Sequence, residues 1–130
     1  MNKYEGLLLF HAKPLLRLGE KVEGIGYLTS GWIFVKHYIA GVTDRRLIMV
    51  QIAPGLFGLN AIYEDLFDLP FKSFESLKFR GFLSSKNITF HLNSGEQHRY
   101  TLNTLSRVVP DQQDFYEKLR AKYQRFQTGE

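Results

Sequence analysis

A short polar turn between two apolar, β-branched runs sets the first limit on how this chain can fold. The turn is Thr43-Asp44-Arg45-Arg46, and strand-forming residues dominate on both sides of it. Such side chains favour extended backbone, and a tight polar corner between two strands is typical of an antiparallel hairpin. We therefore predict paired strands over Tyr38–Thr43 and Arg46–Ile52.

The residues before this hairpin predict a helix and further extended segments. Tyr4 to Leu18 have the apolar spacing of a short helix, which Pro14 interrupts because proline disfavours helical geometry in the residue before it. Val22 to Leu28 predicts a strand in which Gly24 and Gly26 indicate a bend or a close backbone approach. Trp32-Ile33-Phe34-Val35 is rich in strand-forming residues and predicts a second extended segment.

The clearest pattern lies between residues 77 and 102, where apolar and polar side chains alternate. Because a strand points alternate side chains to opposite faces, the pattern predicts an antiparallel meander with one buried face. The side chains expected to face the core are Leu77, Phe79, Ile88, Phe90, Leu92, Tyr100 and Leu102. Those expected on the outer face are Lys78, Arg80, Thr89, His91, Arg99 and Thr101.

Beyond Pro110 the apolar period becomes that of a helix. Phe115, Leu119, Tyr123 and Phe126 recur at helical spacing, and Asp111 suits the N-cap. We predict an amphipathic helix over residues 110–127. Its apolar stripe is expected to cover the core rather than to bind a partner, because no other long amphipathic helix is available.

Composition and motifs exclude several classes of protein. Cysteine is absent, which removes disulfides and thiol chemistry and suits a reducing compartment. The apolar run Gly6–Phe10 is too short for a membrane span and poorly flanked for a signal peptide. We expect no transmembrane segment and a cytoplasmic location, with peripheral attachment at the inner membrane surface as the alternative.

Neither the histidines nor the glycines form a catalytic motif. His11, His37, His91 and His98 lack close metal-ligand spacing, and no phosphate-binding glycine loop or nucleophile elbow is present. We expect no enzyme activity, no metal and no cofactor. The net charge of +4 comes without a Lys/Arg-rich run, so nucleic acid is not an expected partner.

Four short motifs, in this order, resemble those of bacterial pleckstrin-homology-like (PH-like) domains, which are related to GRAM domains. They are Leu18-Gly19-Glu20-Lys21-Val22, Val42-Thr43-Asp44-Arg45-Arg46-Leu47, the stretch from Leu69 to Leu77, and Arg80-Gly81-Phe82-Leu83. The similarity covers about residues 18–126, and the Pro54–Leu59 loop and the Ala61–Asp68 segment are longer than the family pattern.

This resemblance implies a mainly β (α+β) fold in a single domain over residues 1–130. It consists of an N-terminal helical cap (1–18), a sheet core (19–109) and a C-terminal helix (110–127). The core is a strongly bent antiparallel sheet or partly open barrel of about seven strands, which the C-terminal helix plugs at one end. The implied function is non-catalytic binding or assembly.

Two surfaces are candidates for a partner. Lys78, Arg80, His91 and Arg99 share the predicted outer face of the meander, which is either a basic patch or a merely solvated surface. Leu56 and Phe57 place apolar side chains in a predicted loop, where they pack beneath the loop, contact a second subunit or, less favoured, enter a membrane. We expect a protein partner or self-association, with anionic lipid head groups as the alternative.

The hairpin turn supplies one further candidate. Asp44 is expected to close the turn through its own backbone, and Arg46 to brace the neighbouring strand. The role of Arg45 is left undecided. Its guanidinium could contact a phosphate, because guanidinium binds phosphate through two hydrogen bonds.

Overall fold

The computed structural model describes residues 2–54 and 61–129. Its elements in chain order are helix α1 (Lys3–Ala12), strands β1 (Gly24–Ser30), β2 (Lys36–Val42), β3 (Arg46–Pro54), β4 (Ala61–Pro70), β5 (Phe74–Phe82), β6 (Ser85–Leu92) and β7 (Gln97–Asn103), and helix α2 (Gln112–Thr128). Short 3-10 helices follow α1 at Lys13–Leu15 and β4 at Phe71–Ser73.

The seven strands form one antiparallel sheet in the order β4-β3-β2-β1-β7-β6-β5. β1 pairs with β2 along its whole length, whereas its described pairing with β7 is limited to Thr29 opposite Thr101. The rings of Tyr38 on β2 and Tyr100 on β7 lie 5.2 Å apart between centroids, although β1 separates their strands. The sheet is therefore bent at the junction of β1 and β7, and the predicted PH-like architecture is confirmed.

Helix α2 and the inner faces of the two sheet halves share one apolar core. Asp111 caps the helix by accepting a hydrogen bond from the Asp114 N–H at 2.9 Å, as the sequence predicts. Fully buried members of this core are Leu28, Ala40, Val42, Leu47, Phe71, Ile88, Phe90, Leu102, Phe115 and Leu119. The prediction that the apolar stripe of the helix covers the core is confirmed.

A glycine on β1 allows α2 to lie directly against the sheet. A Cβ atom at Gly26 would lie only 2.3 Å from Cδ2 of Phe115. Beside it the buried Gln112 accepts a hydrogen bond from the Tyr27 N–H at 2.7 Å and donates one to the Tyr27 carbonyl at 2.8 Å. The close approach predicted for this strand is thus an approach of helix α2.

Helix α1 covers the opposite, outer face of the β1–β4 half. The Asn2 side chain caps the helix, and regular α-helix ends at Ala12, two residues before Pro14. The second core that the helix forms with this half contains Leu8, Ala12, Ile39, Ile48, Val50, Ile52 and Val109. Burial on both faces explains the nearly continuous apolar runs of β2 and β3.

The extended segment predicted at Trp32–Val35 is wrong. These residues form the loop between β1 and β2, and the exposed fractions are 90% for Trp32, 72% for Ile33 and 85% for Phe34. The strand preference of such side chains reflects packing on a half-buried pleated surface. At Trp32–Phe34 the side chains are instead mostly exposed to solvent.

Candidate binding face on strands β5 to β7

The outer face of β5, β6 and β7 presents three cross-strand rows of side chains. Strand register places Lys78, Thr89 and Arg99 in the central row. The row on one side contains Arg80, Asn87 and Thr101, and the row on the other contains Ser76, His91 and Gln97. We call these nine residues the basic face, since they include the four basic side chains that the sequence predicts there, Lys78, Arg80, His91 and Arg99.

The basic face contains no carboxylate among its nine side chains. Lys78, Arg80 and Arg99 are exposed and His91 is half-buried, and all four line one shallow depression of about 300 Å³. Among the described residues, none of these four forms an ion pair. Neighbouring strands in a sheet lie about 4.8 Å apart, so the positive charges repel one another across short distances. The face is therefore suited to a negatively charged surface.

Arg45 lies apart from the basic face, in the turn between β2 and β3. It lines a different depression, with Arg17, Lys72 and Phe126. In the sequence predictions, Arg45 is a candidate contact for the same kind of ligand as Lys78, Arg80 and Arg99. The structure does not bring it to the same face.

Thr43, rather than Asp44, closes this turn. The Thr43 hydroxyl accepts hydrogen bonds from the backbone N–H groups of Arg45 and Arg46, each at 3.1 Å. The Asp44 carboxylate instead accepts a hydrogen bond from Lys122 of α2, and this contact lowers the pKa of Asp44. Asp44 thus ties the hairpin to the helix, a contact between distant segments that the turn sequence alone does not predict.

Arg46 braces the sheet through two carboxylates. Its Nε donates to Glu20 at 2.9 Å and its Nη1 to Asp68 of β4 at 3.0 Å. Burial alone would raise the pKa of Glu20, but hydrogen bonds from the Arg17 N–H, the Thr43 hydroxyl and Arg46 outweigh burial and lower it. Arg46 therefore braces the neighbouring strand β4 through a carboxylate, which is the structural role that the sequence predicts for it.

Apolar side chains continue the outer face at the β5–β6 turn. Phe82 follows Lys78 and Arg80 at the strand period and is 80% exposed, and Leu83 next to it is 77% exposed. This site is not among the sequence predictions, in which the turn appears only as a family motif. Extending the strand alternation two residues beyond Arg80 would have placed Phe82 on the face.

A second apolar site is the Trp32–Phe34 loop, which connects β1 to β2. Phe34 lines a cleft of about 660 Å³ together with Lys36 and Arg99, between the two sheet halves. The buried rings of Tyr38 and Tyr100 also line this cleft, and burial raises the pKa of the Tyr100 hydroxyl. Leu56 and Phe57 lie outside the described residues, so the apolar-loop hypothesis stays a prediction.

Two further features were expected to be absent and are considered for the part of the chain that the structure describes. There, no cluster of three or more His, Asp or Glu side chains is placed to hold a metal ion. None of the helices in those residues has the length and apolar character needed to cross a membrane.

Comparison with known proteins identifies the family. The sequence model of the bacterial PH domain family matches residues 20–118. The chain belongs to the bacterial PH domain family. The resemblance in its sequence motifs is thereby confirmed, and all nine residues of the basic face lie within the matched region. No curated protein matches this bacterial PH domain.

Solved structures of other proteins share the fold of this bacterial PH domain. The C-terminal domain of an unknown protein from Leishmania infantum is similar with a TM-score of 0.59 at 13% identity, over 92% of this chain and 96% of that one. The hSac2 domain of the human phosphoinositide phosphatase Sac2 has a TM-score of 0.56 at 14% identity, over 92% of this chain and 77% of that one. At identities this low, the structural similarity shows a common fold alone, because function depends on the site rather than on the fold.

Proposed function

We propose that this bacterial PH domain is a non-catalytic binding module that docks onto an anionic surface through the basic face. The observation that carries the proposal is that three exposed cations, Lys78, Arg80 and Arg99, share the face with no carboxylate among the nine residues. By contrast, Arg46, Lys118 and Lys122 each form an ion pair with an acidic side chain. The exposed cations of the basic face are available to a partner of opposite charge.

The chemistry of the face fits a surface with many negative charges, such as anionic lipid head groups or an acidic protein. Each Lys or Arg close to an anionic membrane contributes roughly 1 kcal/mol, and salt weakens the attraction.

Binding to two anionic probes tests the proposal. The probes are phosphatidylcholine vesicles that contain phosphatidylglycerol, measured by flotation, and immobilised polyglutamate. The double variant Lys78→Glu/Arg80→Glu is expected to bind at least about tenfold more weakly to whichever probe the wild type binds. The matched control, Lys21→Glu/Arg107→Glu, has the same net charge but changes exposed residues outside the face. Equal losses in the two variants, or no wild-type binding to either probe, would refute the proposal.

A second candidate function is self-association through the Trp32–Phe34 loop. Aromatic side chains are enriched in protein interfaces, and three consecutive residues of this loop are more than two-thirds exposed. Light scattering of the wild type and of Trp32→Ser/Phe34→Ser tests this candidate. A wild type that stays monomeric at high concentration would exclude it.

A further inference from the structure

An apolar corner adjoins the basic face where β5 turns into β6. It consists of Phe82, Leu83 and Leu105, with exposed fractions of 80%, 77% and 74%. The backbone joins the two segments, because the Thr104 N–H donates a hydrogen bond to the Ser84 carbonyl at 2.8 Å. Leu105 follows directly in the chain, and its own N–H donates to the Asn103 side chain at 2.9 Å. Two turns are thus fixed with their large apolar side chains in solvent.

Phe82 points to the same side of the sheet as the cations. Leu77 and Phe79 pack in or against the inner core, and Lys78 and Arg80 alternate with them. Gly81 continues the inner series, where a Cβ atom would meet the Ser85 carbonyl at 2.6 Å. Phe82 is therefore the next outer-facing residue after Arg80. The basic face ends in an exposed aromatic ring rather than in a polar side chain.

The backbone at Leu83 is strained. Its φ angle is +56°, and among the described residues no other non-glycine residue has a positive φ. Turns of this kind commonly use glycine or asparagine, because a larger side chain disfavours the left-handed conformation. Phe82 pairs with Ser85, so Leu83 and Ser84 form a two-residue hairpin loop, which requires a positive φ angle. At Leu83 the strained residue exposes most of its side chain.

We propose that the anionic surface bound by the basic face is a lipid bilayer, and that Phe82 and Leu83 insert into its interfacial region. This inference rests on the proposed function and names the partner. Anionic head groups complement Lys78 and Arg80, while the boundary with the acyl chains accepts an aromatic and an aliphatic side chain at the end of the same face. The corner then adds an apolar contribution that salt does not screen.

Vesicle flotation at low and high salt separates the two contributions. The variant Phe82→Ser/Leu83→Ser is expected to lose at least about tenfold in binding to phosphatidylglycerol-containing vesicles, with the residual binding fully lost at high salt. The matched control, Phe10→Ser/Leu18→Ser, removes side chains that are equally exposed elsewhere, 76% and 106% in relative area, and is expected to bind within twofold of the wild type. Both pairs are exposed, and circular dichroism checks that each variant is folded.

The same assays separate failure of the inference from failure of the proposed function. If Phe82→Ser/Leu83→Ser binds vesicles as the wild type does while Lys78→Glu/Arg80→Glu does not, the inserted corner is wrong and the basic face stands. If the wild type binds polyglutamate but not vesicles, the partner is an acidic protein and the bilayer inference is wrong. If the wild type binds neither probe, both fail.

A fluorescent reporter tests the orientation on the membrane. Trp32 is the single tryptophan of the chain, so Trp32→Phe/Phe82→Trp moves the indole from the β1–β2 loop to the corner. Brominated lipid tails are expected to quench this variant strongly and the wild type weakly. Strong quenching of the wild type alone would place the β1–β2 loop in the bilayer and overturn the inference.

Discussion

The four residues of the β2–β3 turn show how differently adjacent side chains of similar type can act. Arg46 is buried between two carboxylates, whereas Arg45 next to it is exposed and has no ion pair among the described residues. The turn sequence predicted the bracing role of Arg46 but not its partners. Glu20 and Asp68 lie far from Arg46 in the chain, and it is the pairing of β3 with β4 that places Asp68 beside Arg46.

Removal of the Arg46 guanidinium should strongly destabilise the fold. Its partner Glu20 has a side chain only 2% exposed, so Arg46→Met leaves a buried charge without its counterion. We expect the free energy of unfolding to fall by about 3 kcal/mol in urea denaturation. Arg45→Met, one residue away, should change it by less than about 0.5 kcal/mol. Equal effects of the two substitutions would contradict this account.

The same network makes the stability of the protein depend on acid pH. The folded-state pKa of Glu20 lies below its ordinary value of 4.5, so its stabilising contribution is complete above that pH. The contribution is lost as the pH falls through the lowered pKa, because the unfolded chain binds the proton first. Denaturation midpoints between neutral and acid pH should show this loss. It should be smaller in Glu20→Gln and unchanged in Glu75→Gln, which alters an exposed carboxylate.

Among the elements, those with a regular apolar period were predictable, and those defined by distant packing were not. The alternation from Leu77 to Leu102 defined which side chains of β5 to β7 lie outside, and hence the basic face. The same reasoning failed at Trp32–Val35, because strand propensity is a property of a packed surface rather than of the side chain alone. It also gave no sign of the strain at Leu83.

Helix α2 is expected to contribute strongly to stability through its buried face. Leu119 is fully buried in the core between the sheet halves, so Leu119→Ala should cost about 2 to 5 kcal/mol, a loss that combines apolar transfer with a residual cavity. Gln124→Ala, on the exposed side of the same helix, should cost less than about 0.5 kcal/mol. A near-zero effect of Leu119→Ala on the chemical denaturation midpoint would disprove the plug assignment.

At the scale of the whole molecule, the two halves of the sheet differ in what covers them. The β1–β4 half is covered by α1 outside and shares the inner core, whereas the β5–β7 half leaves its outer face in solvent. The continuous apolar runs of β2 and β3 indicate that both faces of these strands are buried. They do not indicate which element covers the outer face. The half without an outer layer is the one that carries the cations.

The outer layer can be tested through two neighbouring side chains of α1. Leu8 is fully buried against the sheet and Phe10 is 76% exposed on the same helix. We expect Leu8→Ala to lower the free energy of unfolding by about 2 to 5 kcal/mol and to increase binding of a hydrophobic dye. Phe10→Ala should leave both measurements nearly unchanged, and dye binding that rises in both variants would indicate that α1 is not a fixed layer.

Strand β2 illustrates a final consequence of the two cores. It has bonded strands on both edges, and Tyr38 to Val42 are buried on both of its faces. Its amide hydrogens should therefore exchange with solvent only when the whole molecule unfolds. Strand β5 has a free edge and an open outer face, so its amides should exchange through local opening. Partner docking on the basic face would then slow exchange in β5 far more than in β2.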